Sequence, residues 1–566
     1  MLKTARESSV LGGRIGRRRL LRNGGIAGAG LAAVGLVGCG SSQKAGNGAA
    51  TSTGAAAGKP KTGGKIAVNV TTDPFDWDLS YVGKSIPNGD GQALAYEGLL
   101  HFKYGADVKY GDLQVGPKLA EKWENPDAQT FTFHLRPGVK FANLAPVNGR
   151  DLTSADVKWT YEYWSRTGAI AAKNLPLAQF AWFFEGMDSI QTPDAQTVVV
   201  KFKTPFAPFL SYAAAEYNPI VAHEIFDQYG NLHDHIVGSG PWQLDPTASQ
   251  KGSRWVWKRN QNYWDAGKPY IDEVDWLVIT DASTAINAFN TKQLDWIGRP
   301  YSVTPQQAID LKKSNPTATA YQYPASVPMH LYINTRVAPL NDARVRQAIS
   351  FAIDRDELVK VVDLGQGNWA LAGALPDTFT QSEIKQILGT DIQKSKQLLS
   401  AAGFANGVDL EFIVTAAYGE GYLSEAQLLQ AQLKKAGINL SLKSIDKDTY
   451  SSNKKAGKYT ITMTGKDVEG DVDSYLFATF HSASKDNYAG VKDPKLDAML
   501  EAQRREADPA KRLDLVRQAV KYINVEQAYG LALETGTGYE FSRGLKNYAP
   551  QFGVRQTPEV DSWLER

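Results

Sequence analysis

The spacing of hydrophobic residues along this chain predicts short strands that alternate with helices. Residues 66–70 form a strand pattern that stops at the turn signal Asp73-Pro74. In residues 130–135 every second side chain is hydrophobic, before the turn sequence Arg136-Pro137-Gly138. This period of two is typical of a strand with one buried face.

A hydrophobic stripe at helical spacing follows Asn341 and Asp342, either of which can cap the helix. Its members recur three or four positions apart and are Val345, Ala348, Ile349, Ala352 and Ile353. The stripe predicts an amphipathic helix packed on a core. Asp508-Pro509 predicts the start of another helix, since proline at the first helical position loses no hydrogen bond.

The clearest supersecondary unit lies in residues 409–445. A strand pattern at 410–415 leads into a helix that the capping box Ser424-Glu425-Ala426-Gln427 is expected to open and that ends before Gly437. An alternating strand pattern with Ile438, Leu440 and Leu442 follows. Strand, helix and strand over this length indicate a βαβ crossover, and therefore a parallel pair in an α/β lobe.

The first 38 residues have the composition of an export signal. An Arg-rich segment (14–22) precedes a weakly apolar run (26–38) that is shorter than the roughly 20 residues of a membrane-spanning helix. Leu36-Val37-Gly38-Cys39 resembles a bacterial lipobox, so Cys39 is the predicted lipidation site. Residues 16–22 (GRRRLLR) resemble a twin-arginine export motif, and a basic leader for general secretion is the alternative.

Removal of this leader changes the charge of the chain. The 566-residue precursor has a net charge of +2, and residues 1–38 carry seven Lys or Arg and one Glu, so the mature chain is at −4. That balance does not favour a nucleic-acid partner.

Residues 39–64 are rich in Gly, Ser, Ala and Thr and are expected to form a flexible tether. The length of the remaining chain predicts at least two lobes.

No enzyme or cofactor motif stands out. The chain contains no GxSxG, GxxxxGK[ST], HExxH or CxxC sequence, and Cys39 is its single cysteine. His233-Asp234-His235 is the best metal candidate, but one HxH pair is more typical of a solvated loop. We therefore expect no metal site and no cofactor.

Two kinds of side chain are candidate solute contacts. Acidic residues cluster after a predicted strand at 459–463, and close carboxylates suit a hydrolase pair, a partner for a cationic solute or a solvated loop. Trp77 and Trp369 offer aromatic area for a sugar or peptide, or simply core packing. The acidic candidates are Asp467, Glu469, Asp471 and Asp473.

A series of segments spread over the mature chain carries a family resemblance. They are 96–100 (YEGLL), 119–123 (LAEKW), 131–141 (FTFHLRPGVKF), 152–157 (LTSADV), 237–242 (VGSGPW), 260–264 (NQNYW), 342–349 (DARVRQAI) and 352–355 (AIDR). Together they resemble the family 5 extracytoplasmic solute-binding proteins of ABC transporters, which include dipeptide and oligopeptide binders.

The resemblance implies an α/β, two-lobed periplasmic-binding-protein type II fold with an extra subdomain inserted in the first lobe. Residues 65–97, 237–325 and 530–566 are expected to form the first-lobe core, 98–236 the inserted subdomain and 326–529 the second lobe. It also implies a hinge that closes the lobes on a solute, with the motif segments serving as structural parts.

The implied function is that of a lipid-anchored, non-enzymatic binding component of an ABC importer. It would be a monomer on the outer face of the cytoplasmic membrane that presents its solute to permease subunits. Peptide-binding members carry a GWxxDYxDP-like segment, whereas residues 465–474 here (GKDVEGDVDS) lack its Trp and Pro. This departure counts against a peptide, whereas the family resemblance makes a short peptide or similar polar organic solute the main hypothesis. An oligosaccharide, more weakly nickel, and a surface hydrolase that uses the clustered acids remain as alternatives.

Overall fold

The computed structural model describes residues 59–74, 76–78, 86–105, 108–298, 303–325, 327–376, 378–418, 420–466, 468–552 and 560–565. The predicted leader, Cys39, most of the predicted tether and Asp467 lie outside these residues. Among the helices that are described, none has the length and apolar character needed to cross a membrane.

The strands are numbered in chain order. They are β1 Lys65–Val70, β2 Leu100–Phe102, β3 Val115–Pro117, β4 Ala120–Glu124, β5 Thr130–Leu135, β6 Met187–Asp194, β7 Thr197–Phe202, β8 Trp242–Leu244, β9 Arg254–Arg259, β10 Glu273–Val278, β11 Trp296–Ile297, β12 Thr319–Pro324, β13 Met329–Ile333, β14 Asn368–Trp369, β15 Val408–Val414, β16 Ile438–Ser444, β17 Ile461–Gly465, β18 Gly530–Ala532, β19 Glu534–Thr535, β20 Thr537–Ser542, β21 Leu545–Lys546 and β22 Trp563–Leu564.

The α-helices are numbered in the same way. They are α1 Ile86–Ala95, α2 Ser154–Ser165, α3 Phe209–Ala214, α4 His223–Tyr229, α5 Ala282–Asn290, α6 Pro305–Ser314, α7 Ala343–Ala352, α8 Arg355–Val362, α9 Gln381–Ile387, α10 Ile392–Ala401, α11 Glu420–Lys434, α12 Lys447–Ala456, α13 Asp473–Phe480, α14 Pro494–Arg505 and α15 Pro509–Lys521. Short 3-10 turns lie at Gly168–Lys173, Ala181–Phe184 and Ala416–Tyr418, and a π-helical turn at Tyr522–Glu526.

A seven-stranded mixed sheet in the order β12-β20-β11-β1-β10-β9-β8 forms the centre of the first lobe. β1 lies parallel to β10 and β11, and its burial on both faces fits a central strand. Between β1 and β8 the chain builds a separate antiparallel sheet in the order β4-β5-β7-β6. This four-stranded sheet packs with α2 and α3 in the same hydrophobic core as one face of the seven-stranded sheet.

A five-stranded sheet in the order β16-β15-β17-β13-β18 forms the centre of the second lobe. β15 is parallel to both β16 and β17, whereas β13 runs antiparallel to β17 and β18. The parallel pair and its crossover helix confirm the predicted βαβ unit. α11, however, begins at Glu420, so the expected helix start at Ser424 is wrong and the capping-box residues lie inside the helix.

Other elements match their sequence patterns. β5 has the alternating burial expected of a half-buried strand. α7 begins after Asp342, whose side chain accepts a hydrogen bond from the Arg344 backbone, and α15 begins at Pro509 behind Asp508. These patterns succeed because the buried face of each element and its cap are both local in sequence.

The described strands place two chain crossovers between the lobes. One leads from β12 in the first lobe to β13 in the second, and the other from β18 back to β20. The second crossover contains β19, which pairs with β14 in a small two-stranded ribbon. Two short connections of this kind are the usual structural basis of hinge closure between lobes.

Candidate functional site

Three parallel strands of the second lobe end at one edge of its sheet. β15 leads into the turn Ala416–Tyr418, and β17 leads into the predicted acidic segment after Gly465. In open α/β sheets, ligands bind in the crevice outside the carboxyl ends of such strands. This carboxyl edge is therefore the candidate solute site of the second lobe.

Asp471 is held by an arginine within the second lobe. Arg512 on α15 donates two hydrogen bonds to its carboxylate, at 2.8 and 2.6 Å. Burial lowers the pKa of Arg512, but the charge of Asp471 and its hydrogen bonds outweigh that effect, so the net pKa of Arg512 is raised. Asp471 therefore supports the loop rather than offering a free charge to a solute.

Asp473 lies fully buried where the second lobe meets the first. It accepts hydrogen bonds from Tyr212 on α3 of the first lobe (3.0 Å), from Gln503 (2.6 Å) and from Arg504 Nε (2.8 Å). The charge of Asp473 also outweighs the desolvation of Arg504, whose net pKa is raised. Asp473, which was predicted as a candidate solute contact, is thus engaged in the contact between the two lobes.

Arg504 extends this contact across the seam. Its Nη1 lies 2.8 Å from a carboxylate oxygen of Glu185, and its backbone carbonyl accepts a 2.8 Å hydrogen bond from the Ala207 amide. Gly470 sits so close to α3 that an added Cβ would lie 3.2 Å from the Ala215 side chain. We call Tyr212, Glu185, Asp473 and Arg504 the interlobe clamp.

Three buried carboxyl groups gather at the second crossover. Asp363, at the end of α8, accepts a 2.8 Å hydrogen bond from the Thr537 hydroxyl in the strand after β19. Burial, and then the neighbouring Asp363, raise the pKa of Glu534 to about 8. Burial, and then Glu534, raise the pKa of Glu425 on α11 as well. We call Asp363, Glu425 and Glu534 the hinge carboxyls.

The two predicted tryptophans lie in different places and neither joins the acidic segment. Trp77 is buried edge-on against Trp255 and Trp257 in the first lobe, with ring centroids 6.1 and 5.7 Å apart. Trp369 is buried in β14 opposite Glu534, and its indole donates a 3.0 Å hydrogen bond to Asp356. Glu469 is buried, and its backbone amide is bonded to Ser474.

The histidine pair does not point at one metal. His233 Nδ1 lies 2.8 Å from Asp76, whereas His235 stacks on Tyr229 at 3.6 Å between centroids. Within the described ranges, Asp156, His223 and Glu224 bring ligand atoms within 4.8 Å of one another, close enough to hold a metal ion. The Arg150 guanidinium bonds to both Asp156 and Glu224 at 2.6 Å and so takes the position of a cation.

Several of the segments that carry the family resemblance meet around Glu97. Its buried carboxylate accepts hydrogen bonds from Tyr263 and Trp264, both at 2.8 Å, and pairs with Lys118 at 3.0 Å. Arg136 stacks 4.4 Å from the Trp264 ring. Residues from three of those segments, 96–100, 131–141 and 260–264, thus meet with Lys118 at the junction of the first-lobe core and the four-stranded sheet, which supports their interpretation as structural parts.

Sequence reasoning missed Arg504, Arg512, Tyr418 and the hinge carboxyls. The arginines lie on α14 and α15, about 30 to 40 residues beyond the acids that they bind, and nothing local to either partner signals the pairing. Tyr418 could have been identified from the sequence, because it lies in the turn after a strand that was predicted to be parallel.

Comparison with known proteins places this architecture in a family. A model of the bacterial extracellular solute-binding proteins, family 5 (Middle) matches residues 114–487. The Dipeptide-binding protein of Escherichia coli K12 is 26% identical over 503 residues, which span 84% of this chain and 92% of that protein. Heme-binding protein A of Haemophilus influenzae is 25% identical over 463 residues, which span 78% of this chain and 83% of that protein.

A solved structure shows the same fold. The ABC transporter-associated periplasmic binding protein DppA from Helicobacter pylori, in complex with the peptide STSA, aligns with a TM-score of 0.73 at 24% identity. The alignment covers 89% of this chain and 99% of that chain. The expected two-lobed type II binding-protein fold is thereby confirmed.

Proposed function

Because the chain belongs to the bacterial extracellular solute-binding proteins of family 5, we propose that it is the lipid-anchored substrate-binding component of an ABC importer. It captures a short peptide or a similar polar organic solute between its lobes and delivers it to the permease subunits. The relatives include a dipeptide-binding protein and a binding protein in complex with a peptide, which supports a peptide as the solute.

The observation that carries the proposal is the interlobe clamp. Two crossovers connect the lobes, and on the contact between them Asp473 and Arg504 bind Tyr212 and Glu185. A solute that contacts both lobes adds its binding energy to that of the clamp and so favours the closed state. Closure that depends on the solute provides a signal that a permease can recognise.

The clustered acids favour binding over hydrolysis. A glycoside hydrolase needs one carboxyl that donates a proton and a second that acts as nucleophile or base. Asp471 and Asp473 are instead each engaged by a guanidinium group, Arg512 and Arg504. Among the described acids of this segment, Asp471 and Asp473 therefore bind arginines and do not form the carboxyl pair of a hydrolase.

We also propose the division of the chain expected from its sequence, with one change. The first-lobe core comprises 65–97, 237–325 and 534–566, the inserted subdomain 98–236 and the second lobe 326–533. The change at 530–533 follows from the pairing of β18 with β13 and from the burial of Leu533 in the second-lobe core. The protein acts as a monomer.

A thermal-shift screen of the full-length chain tests the solute class. We expect a matching short peptide at about 100 times its dissociation constant to stabilise the protein by roughly 2.7 kcal/mol, since it binds the folded state alone. Oligosaccharides and Ni²⁺ are screened in parallel at the same concentrations. A shift with a sugar or the metal, but with no peptide, would replace the proposed solute.

Replacement of Cys39 tests the anchor. We expect Cys39→Ser to move the protein from the membrane fraction to the soluble fraction, because the acylated thiol is lost, while solute binding is unchanged. Ser41→Ala, two residues away, is the matched control and should remain in the membrane fraction. A Cys39→Ser protein that stays membrane-bound would contradict the lipid anchor.

A further inference from the structure

Tyr418 stands at the carboxyl edge of the second-lobe sheet with an exposed ring. It ends the short turn Ala416–Tyr418 that follows β15, and 42% of its surface is exposed. This position is one strand away from β17, whose continuation forms the interlobe clamp. The ring therefore lies on the edge where the sheet topology places a bound solute.

Two buried tyrosines hold this ring in place. Tyr422 and Tyr450 contact Tyr418 edge to face, with centroids 5.3 and 5.7 Å away and interplanar angles of 76° and 90°. Both supporting hydroxyls donate to the Met463 carbonyl of β17. An aromatic platform that is fixed in this way loses little entropy when a ligand packs on it.

Among the described residues, the side chains whose rings contact Tyr418 are the uncharged Tyr422 and Tyr450. Burial raises the pKa of Tyr418. The acids Asp471 and Asp473 at the same edge are neutralised by their arginines. A tyrosine face in a neutral setting suits an apolar or aromatic group better than a charged one.

We propose that Tyr418 is a specificity-determining residue, on whose exposed face an aromatic side chain of a bound peptide packs. This inference rests on the proposed function and narrows its solute class to peptides with a ring at that position. The ammonium group of the peptide does not pair with Asp471 or Asp473, whose oxygens already bind arginines.

Titration calorimetry with trialanine and alanyl-phenylalanyl-alanine tests the proposal. We expect the wild-type protein to bind the phenylalanine peptide about tenfold more tightly, the gain typical of one aromatic pair. Tyr418→Ala should abolish that preference and leave trialanine binding unchanged. Tyr418→Phe should keep it, because the ring remains. Leu513→Ala, at a side chain on α15 that is 45% exposed, is the control for loss of exposed apolar area.

The outcomes separate the two proposals. Equal binding of both peptides, before and after Tyr418→Ala, overturns the role of Tyr418 and leaves peptide binding intact. If the protein binds maltotriose but neither peptide, and Tyr418→Ala weakens maltotriose binding, the peptide solute is overturned and Tyr418 is a contact for a sugar instead. Binding of none of the three probes overturns both. An unchanged thermal midpoint of each variant confirms that it is folded.

Discussion

Asp473→Ala is expected to destabilise the protein by about 3 kcal/mol, because it removes the central acceptor of the interlobe clamp. Three donors, Tyr212, Gln503 and Arg504, lose a partner that is fully buried. Among the described carboxylates, Arg504 keeps Glu185, whose side chain is 51% exposed and so offers a weaker, solvent-screened pair. Chemical denaturation measures the loss, and small-angle scattering measures the accompanying shift toward the open state.

Two matched variants separate the parts of this effect. Tyr212→Phe deletes one hydrogen bond across the seam and leaves the buried ion pair intact, so we expect a loss of about 1 kcal/mol. Glu185→Ala removes only the exposed end of the clamp and should cost less than about 1 kcal/mol. If Asp473→Ala unfolded at the same denaturant concentration as the wild type, the interlobe clamp would not contribute to stability.

The elements that the sequence predicted correctly are those whose signals are local. The alternation in β5, the Asp342 cap of α7 and the strands of the βαβ unit each depend on residues within one element. The error at α11 has a physical reason as well. A capping box needs a nonhelical residue at its first position, and the buried side chains Tyr422 and Ala426 instead carry the helix through Ser424.

The candidate site was harder to predict, because charge pairing is set by tertiary contacts. Asp471 and Asp473 were predicted as candidate solute contacts, whereas in the fold their carboxylates bind arginines on α15 and α14. Whether a carboxylate faces a solute or a guanidinium depends on how these helices pack against the segment that follows β17. Sequence spacing carries no information on that packing, so binding and structural roles remained open alternatives.

The burial of the hinge carboxyls could not be predicted from the sequence either. Glu534 lies in a polar sequence, Glu534-Thr535-Gly536-Thr537, that is typical of an exposed turn. In the fold this turn is the second crossover, enclosed by α8, α11 and β14. A carboxyl group that sequence alone would place in water is therefore buried beside two others.

Glu534→Gln is expected to stabilise the protein at pH 8 and to change little at pH 4.5. Burial, and then Asp363, raise the pKa of Glu534 from 4.5 to about 8. Between these two pH values the folded state keeps a proton that the unfolded state has released, so the free energy of unfolding falls as pH rises. At about 1.4 kcal/mol per pKa unit, the penalty removed at pH 8 is roughly 2 to 5 kcal/mol.

Denaturation of wild type and variant at pH 4.5, 6 and 8 measures this difference, and its growth with pH is the diagnostic feature. The groups that face Glu534 are Asp363 from the end of α8 and Glu425 from α11, while Trp369 lies opposite on β14. Glu425→Gln should act in the same direction, because it removes a second buried acid of raised pKa. Glu121→Gln, at an exposed position of β4, should have the stability of the wild type at every pH.

A Glu534→Gln variant whose stability relative to the wild type is the same at pH 4.5 and at pH 8 would contradict a buried, protonated Glu534. A difference that grows with pH would show that the second crossover carries a proton when the protein is folded at neutral pH.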